Sequence, residues 1–193
     1  MLRRRPSLIE YPAPNGYLPL ANAITFGEIC IVDILLTAGA SIHIGNTLNR
    51  RTPLQLAFYH GHLPVVRMLL NRKADMEACD INGMTACHFA VDANQQEILR
   101  FALENGSNVE ASDACGWTLL LRAVVMHTDL AILKLFVQNG ANMGTLDKIG
   151  QSCKDLARFY NNEEASNYFM KLSSKKKQEV ELRFITKYYT APE

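Results

Sequence analysis

Apolar and polar positions along this chain follow a pattern that returns every 33 or 34 residues. Leu18, Thr52, Thr85, Thr118 and Ser152 anchor it, and each is followed five positions later by an alanine: Ala23, Ala57, Ala90, Ala123 and Ala157. A period in this range means stacked supersecondary units, each too small to bury its own apolar face and so dependent on its neighbours. The second unit is the clearest. Thr52-Pro53 reads as a helix start, because the hydroxyl can accept from an early backbone N–H and proline tolerates the first turn. Gly61 can take the left-handed conformation that closes a helix. From Leu63 onward Val65, Val66, Leu69 and Leu70 form the apolar stripe of a second helix. The predicted unit is helix, turn, helix.

Between units the chain is rich in turn residues. Asp80-Ile81-Asn82-Gly83, Asp113-Ala114-Cys115-Gly116 and Asp147-Lys148-Ile149-Gly150 lie in register, two residues before the next Thr or Ser. Asp bonds the backbone two residues on and Gly supplies a positive φ, so projecting hairpin fingers are expected. Unit five reads Ser152-Cys153-Lys154-Asp155, and Lys154 and Asp155 suit a capping unit with one face in water. Glu163 and Glu164 then fall at the positive end of its second helix. Unit four is one residue longer than unit three, with the extra residue expected around Met126 to Asp129, and the first finger, Gly39 to Thr52, is also one residue longer than the others.

Composition narrows the function. The chain has 193 residues, 48% of them hydrophobic, and a formal net charge of +1. That length suits a short solenoid, and so small a charge gives no global drive toward nucleic acid or an anionic membrane. The longest apolar stretch, Trp117 to Met126, is interrupted by Arg122 and falls far short of the ~20 residues that cross a bilayer. Five cysteines and no signal-peptide pattern point to a reducing compartment, cytoplasmic or nuclear.

The register from Asp80 to Ala90 resembles the signature of the ankyrin repeat, Asp-x-x-Gly-x-Thr-Pro-Leu-His-x-Ala, and the resemblance runs from about Asn15 to Leu172. It implies an all-α solenoid of about five helix-turn-helix units with β-hairpin fingers, units 15–45, 46–79, 80–112, 113–146 and 147–172. A tail, 1–14, would precede them and a basic helical segment, 173–193, would follow. The resemblance assigns His88 to hydrogen bonding between neighbouring repeats. It also places protein partners on the concave side, made of finger tips and first helices. By register that surface includes Arg51, Ile81, Met84, Trp117 and Ile149 on the fingers, and Tyr59, His60, Asp92, Val125, Met126, Phe159 and Tyr160 on the helices. Interfaces favour Trp, Tyr and Arg, which makes Trp117 the first expectation for an energetic anchor whose removal weakens binding and spares the fold.

Catalytic and metal chemistry have thin support. Cys87-His88 is the one adjacent thiol and imidazole, but no third orienting group accompanies it. The cysteines lie 8 to 49 residues apart without a Cys-x-x-Cys pair, and buried small residues are the expected reading. His60 and His62 flank Gly61 as turn residues. No catalytic residue, metal or cofactor is assigned.

The ends carry their own signals. Arg3-Arg4-Arg5-Pro6-Ser7-Leu8 resembles a basophilic kinase site, with phosphate at Ser7 placed beside three arginines. After Lys175 to Lys177, residues Val180, Phe184, Ile185, Tyr188 and Tyr189 are spaced for one helix face, either a lid on the last repeat or a partner-binding helix. Two runs, Cys115 to Arg122 and Phe58 to His62, further resemble the ankyrin half of testis proteins that join a fibronectin type III domain to ankyrin repeats. That likeness implies expression in the male germline. The function expected is a non-catalytic scaffold or adaptor for a protein partner; the alternative is a structural component of a cytoskeletal or axonemal assembly.

Overall fold

A computed structural model describes residues 8–189. Its helices come in five pairs: α1 (Pro19–Thr25) and α2 (Ile29–Thr37), α3 (Pro53–Tyr59) and α4 (Leu63–Asn71), α5 (Ala86–Asp92) and α6 (Gln96–Glu104), α7 (Leu119–Val125) and α8 (Leu130–Gln138), α9 (Cys153–Phe159) and α10 (Glu163–Tyr189). The starts follow the predicted chemistry. Thr52 Oγ1 accepts from Gln55 N–H while Gln55 Oε1 accepts from Thr52 N–H, closing a capping box, and Ser152 and Asp155 build the same box in the fifth pair. Leu18 has no side-chain cap to offer, and α1 begins on Pro19 at its first position.

Helices α1 to α9, of seven or nine residues each, gain little from their own hydrogen bonds, so packing must hold them. The repeated alanine explains how. Ala57, Ala90, Ala123 and Ala157 are fully buried where neighbouring first helices meet, and a larger side chain there would force the stack apart. Each first helix lies on the next, α1 on α3, α3 on α5, α5 on α7 and α7 on α9, giving one continuous apolar core through the described residues.

The added residue of the fourth unit sits where the length argument put it. Met126 to Asp129 links α7 to α8, one residue longer than the links at the same place in the other pairs, and His127 takes the left-handed turn there with φ 51°. In the longer first finger Arg50 occupies the left-handed position held by Gly83, Gly116 and Gly150 in the others, with φ 57°.

The fingers are tighter than β-hairpins. Each of the second to fourth closes on itself, Asp80 N–H to Met84 O, Asp113 N–H to Trp117 O and Asp147 N–H to Gln151 O. Among the described residues only two isolated bridges, Tyr17 with Asn46 and Ser112 with Thr118, carry strand geometry. The tips are tied side by side by backbone bonds: Thr47 N–H to Gly16 O, Ile81 N–H to Asn49 O, Ala114 N–H to Asn82 O and Lys148 N–H to Cys115 O. Residues 8–14, read from the sequence as part of the tail, join the turn that precedes α1: Ala13 N–H donates to Tyr17 O, and Glu10 accepts from Ser41 N–H. Ser7 lies outside the described residues. At the other end α10 continues from the fifth repeat through the basic segment, and the side chains of Val180, Phe184, Ile185, Tyr188 and Tyr189 lie outside the described residues.

Candidate protein-binding surface

The first helices end side by side, and their last residues form a row. Tyr59 and His60 pack edge to face, ring centroids 5.2 Å apart, and Phe159 and Tyr160 do the same at 5.1 Å. Tyr59, Met126, Phe159 and Tyr160 are exposed, with Phe159 at 69%. The first pair extends the row through Phe26, 77% exposed, which the register map missed because it began at the second repeat. Phe26 stands where His60 stands one repeat later, so the same register identifies it. The third repeat interrupts the row with Ala93. Beside it Asn94 and Asp129 bond reciprocally across the joint, Nδ2 to Oδ2 at 2.8 Å and Asp129 N–H to Oδ1 at 3.0 Å.

The finger tips form a second row. Ile81 and Ile149 are exposed, as is Leu48. Met84 is a correction: it is buried at 7% exposure, because the residue before the N-cap of α5 turns toward the stack, so it is not available to a partner. Trp117 occupies the equivalent place and is half-buried against the core. Its indole Nε1–H donates to Asp147 Oδ2 at 3.3 Å, its carbonyl accepts from His88, and its backbone N–H donates to Asp113 Oδ1. Its first task is to join fingers. Arg51 is also half-buried, with its guanidinium 4.7 Å from the centroid of the Phe89 ring.

Asp92 and Val125 are committed inward as well. Arg122 grips Asp92 through Nε and Nη2 at 2.6 and 2.8 Å and reaches Asp113 through Nη1 at 3.0 Å. Burial works against the charge on Arg122. The hydrogen bond and charge of Asp92, with those of Asp113, outweigh it and hold the guanidinium above its ordinary value. Val125 packs half-buried on the core.

The thiol and imidazole weighed for catalysis have other work. Cys87 is fully buried, shares a 3.1 Å hydrogen bond with Ser107, and is pushed up to about 12 by burial. His88 accepts from Thr85 N–H at Nδ1, which leaves Nε2–H to donate to Trp117 O at 3.3 Å across the joint between repeats. Gln55 does the same one repeat earlier, donating from Nε2 to Ala78 O and Met84 O. The inter-repeat role expected of His88 is thus met by geometry. Burial as the reason for the cysteines holds for Cys87 and Cys153 and fails for Cys30, Cys79 and Cys115, which are exposed. Among the described residues no group of three or more His, Cys, Asp or Glu side chains is placed to hold a metal ion, and no helix is long and apolar enough to cross a membrane.

Five stacked helix pairs, closed by turn-shaped fingers and a polar last unit, define an all-α repeat solenoid. A family model described as ankyrin repeats (3 copies) matches residues 20–113 and 72–147, and the chain belongs to the ankyrin-repeat family. Ankyrin repeats mediate protein–protein interaction and are not typically catalytic. The chain is 26% identical to the probable 26S proteasome regulatory subunit p28 of Saccharomyces cerevisiae, over 88% of this chain and 90% of that protein. It is 25% identical to the human neurogenic locus notch homolog protein 1, over 87% of this chain but 7% of that one. The putative ankyrin repeat protein FPV244 of fowlpox virus is 25% identical over 62% of this chain and 17% of its own length.

Proposed function

We propose that this chain is a non-catalytic adaptor that captures a protein partner on its first-helix and finger surface. One observation carries the reading: Phe26, Tyr59, Met126, Phe159 and Tyr160 stand exposed at equivalent ends of stacked helices, where packing between repeats does not use them. Large apolar side chains aligned on a rigid surface are what an interface uses for anchors. Likeness to a probable proteasome regulatory subunit along nearly its whole length supports a regulatory, assembly-attached role. Cytoplasmic or nuclear residence and germline expression belong to the same proposal, and immunostaining of tissue sections tests them.

Affinity capture from native tissue tests the surface, with three baits side by side. These are the wild type, a Phe26→Ser, Tyr59→Ser, Phe159→Ser variant, and a control changed on the outer helices at the exposed Arg100 and Lys134. Partners lost from the first variant and kept by the control support the reading. Equal loss from both variants would instead favour the assembly component, which uses its whole surface.

A further inference from the structure

Chemistry left over after folding is concentrated on the finger strip, residues 46–51, 80–84, 113–117 and 147–151. Its carboxylates are turned inward. Asp80, Asp113 and Asp147 are each at most 8% exposed and each spends Oδ1 on two backbone N–H groups of its own turn. Asp113 and Asp147 spend Oδ2 as well, on Arg122 and on the Trp117 indole. Asn46 holds the same post in the first of these fingers without a charge, accepting from Leu48 and Asn49 N–H.

The exposed charges of the strip's own residues are therefore of one sign, with Asp75 the carboxylate that shares a cleft with Arg50. Leu48, Ile81 and Ile149 are exposed, and so are Arg50 and Lys148, neither of which has a carboxylate within 4.0 Å among the described residues. Arg51, next to Arg50, is half-buried over the Phe89 ring, its Nε without an acceptor. The whole chain carries a net charge of only +1, so this sign is local and arises from which carboxylates the turns consume.

We infer that the finger strip binds an extended protein segment in which carboxylates alternate with apolar side chains. The inference rests on the proposed adaptor function and specifies the chemistry of its partner. Charge complementarity selects against a basic segment, since like charges across an interface are repelled. A nucleic acid would leave the three exposed aliphatic side chains without partners, and so few cations release too few counterions to hold it. An extended segment fits because neighbouring tips are tied side by side, with exposed aliphatic side chains on three of the four fingers.

Fluorescence anisotropy with the full chain provides the test. The probes are a short labelled peptide of alternating Glu and Leu, its Lys-for-Glu and Ser-for-Leu counterparts, and a single-stranded oligonucleotide of similar charge. The Glu-Leu peptide is expected to bind saturably and the other three to bind at least about tenfold more weakly. Added salt should weaken the binding. An Arg50→Glu, Lys148→Glu variant should lose about tenfold in affinity at an unchanged unfolding midpoint, and Arg50→Gln, Lys148→Gln should lose less. Leu48→Ser, Ile81→Ser, Ile149→Ser should lose a similar factor. Equal or tighter binding of the Lys-Leu peptide or the oligonucleotide overturns the inference, as does no binding of the Glu-Leu peptide. A native partner lost by the Phe26, Tyr59, Phe159 variant but fully retained by the Arg50→Glu, Lys148→Glu variant overturns it too, and leaves the adaptor reading standing.

Discussion

Single residues at the joints between repeats show how the stack is held. Gln95 Nε2 donates to Tyr59 O in the preceding repeat, and Asn162 Nδ2 donates to Val124 O. His62 stands in the same register as Gln95, facing Gly27, yet its Nε2 is buried with no partner. The rigid imidazole does not aim Nε2 at a carbonyl here as the flexible Gln95 amide does one repeat later, and a buried polar atom left unpaired costs stability. His62→Gln is expected to raise stability by about 1 kcal/mol in denaturant unfolding. No gain would mean that the first joint leaves no carbonyl within reach. The sequence marked His62 as a turn residue, but whether its nitrogen had a partner depends on the neighbouring repeat's backbone, which no local pattern encodes.

Within an element, the first helix of the third repeat couples stability to pH. His88 is buried and neutral, and its pKa is lowered chiefly by desolvation, against the opposing pull of its bond to Trp117 O. Above the unfolded value of 6.5 neither state holds the proton, and the bonds to Thr85 and Trp117 contribute in full. As pH falls through 6.5 the unfolded chain takes up a proton that the folded chain refuses, so stability falls until the folded pKa is reached. His60 adds in the same direction, lowered by desolvation and then by the charge of His62. The thermal midpoint should therefore drop between about pH 7.5 and about pH 5, and His88→Gln, which copies Gln55, should shrink that drop without abolishing it. An unchanged slope in the variant would mean that His88 does not titrate with folding. At this scale the sequence was highly legible. Thr52, Pro53, Gly61 and Leu63 give both ends of α3 and the start of α4 because caps and breakers act through their own backbone. The fingers were legible as turns but not in their lack of strands, since pairing depends on how far neighbouring tips overlap.

The whole molecule is closed at its fifth repeat by the start of α10. Ala165 and Phe169 are fully buried there, while Lys154, Asp155 and Arg158 of α9 face water. Lys154 Nζ donates to Ser173 Oγ at 2.8 Å, tying α9 to the next turns of α10. Phe169→Ala should cost about 3 kcal/mol, because the cavity opens at the end of the stack. In a linear array the loss should loosen the fifth repeat first, seen as early hydrogen exchange in α9 while α3 and α5 stay protected. Uniform loss of protection would show instead that the repeats unfold as one unit. The sequence by itself determined the number of units, their register, the helix starts and the place of the added residue, because periodic apolar spacing, caps and turns are local. Only the tertiary structure decided which register positions a partner can reach. Met84, Trp117, Asp92 and Val125 share the surface register with Ile81, Tyr59 and Phe159, yet the former are drawn inward, Trp117 and Asp92 by the next repeat, and the latter are left out. The finger carboxylates are held mainly by their own turns, and among the described residues no carboxylate lies within 4.0 Å of Arg50 or Lys148. That sorting depends on what each side chain meets across a joint some thirty residues away in sequence, as the 30-residue separation of Trp117 from Asp147 illustrates.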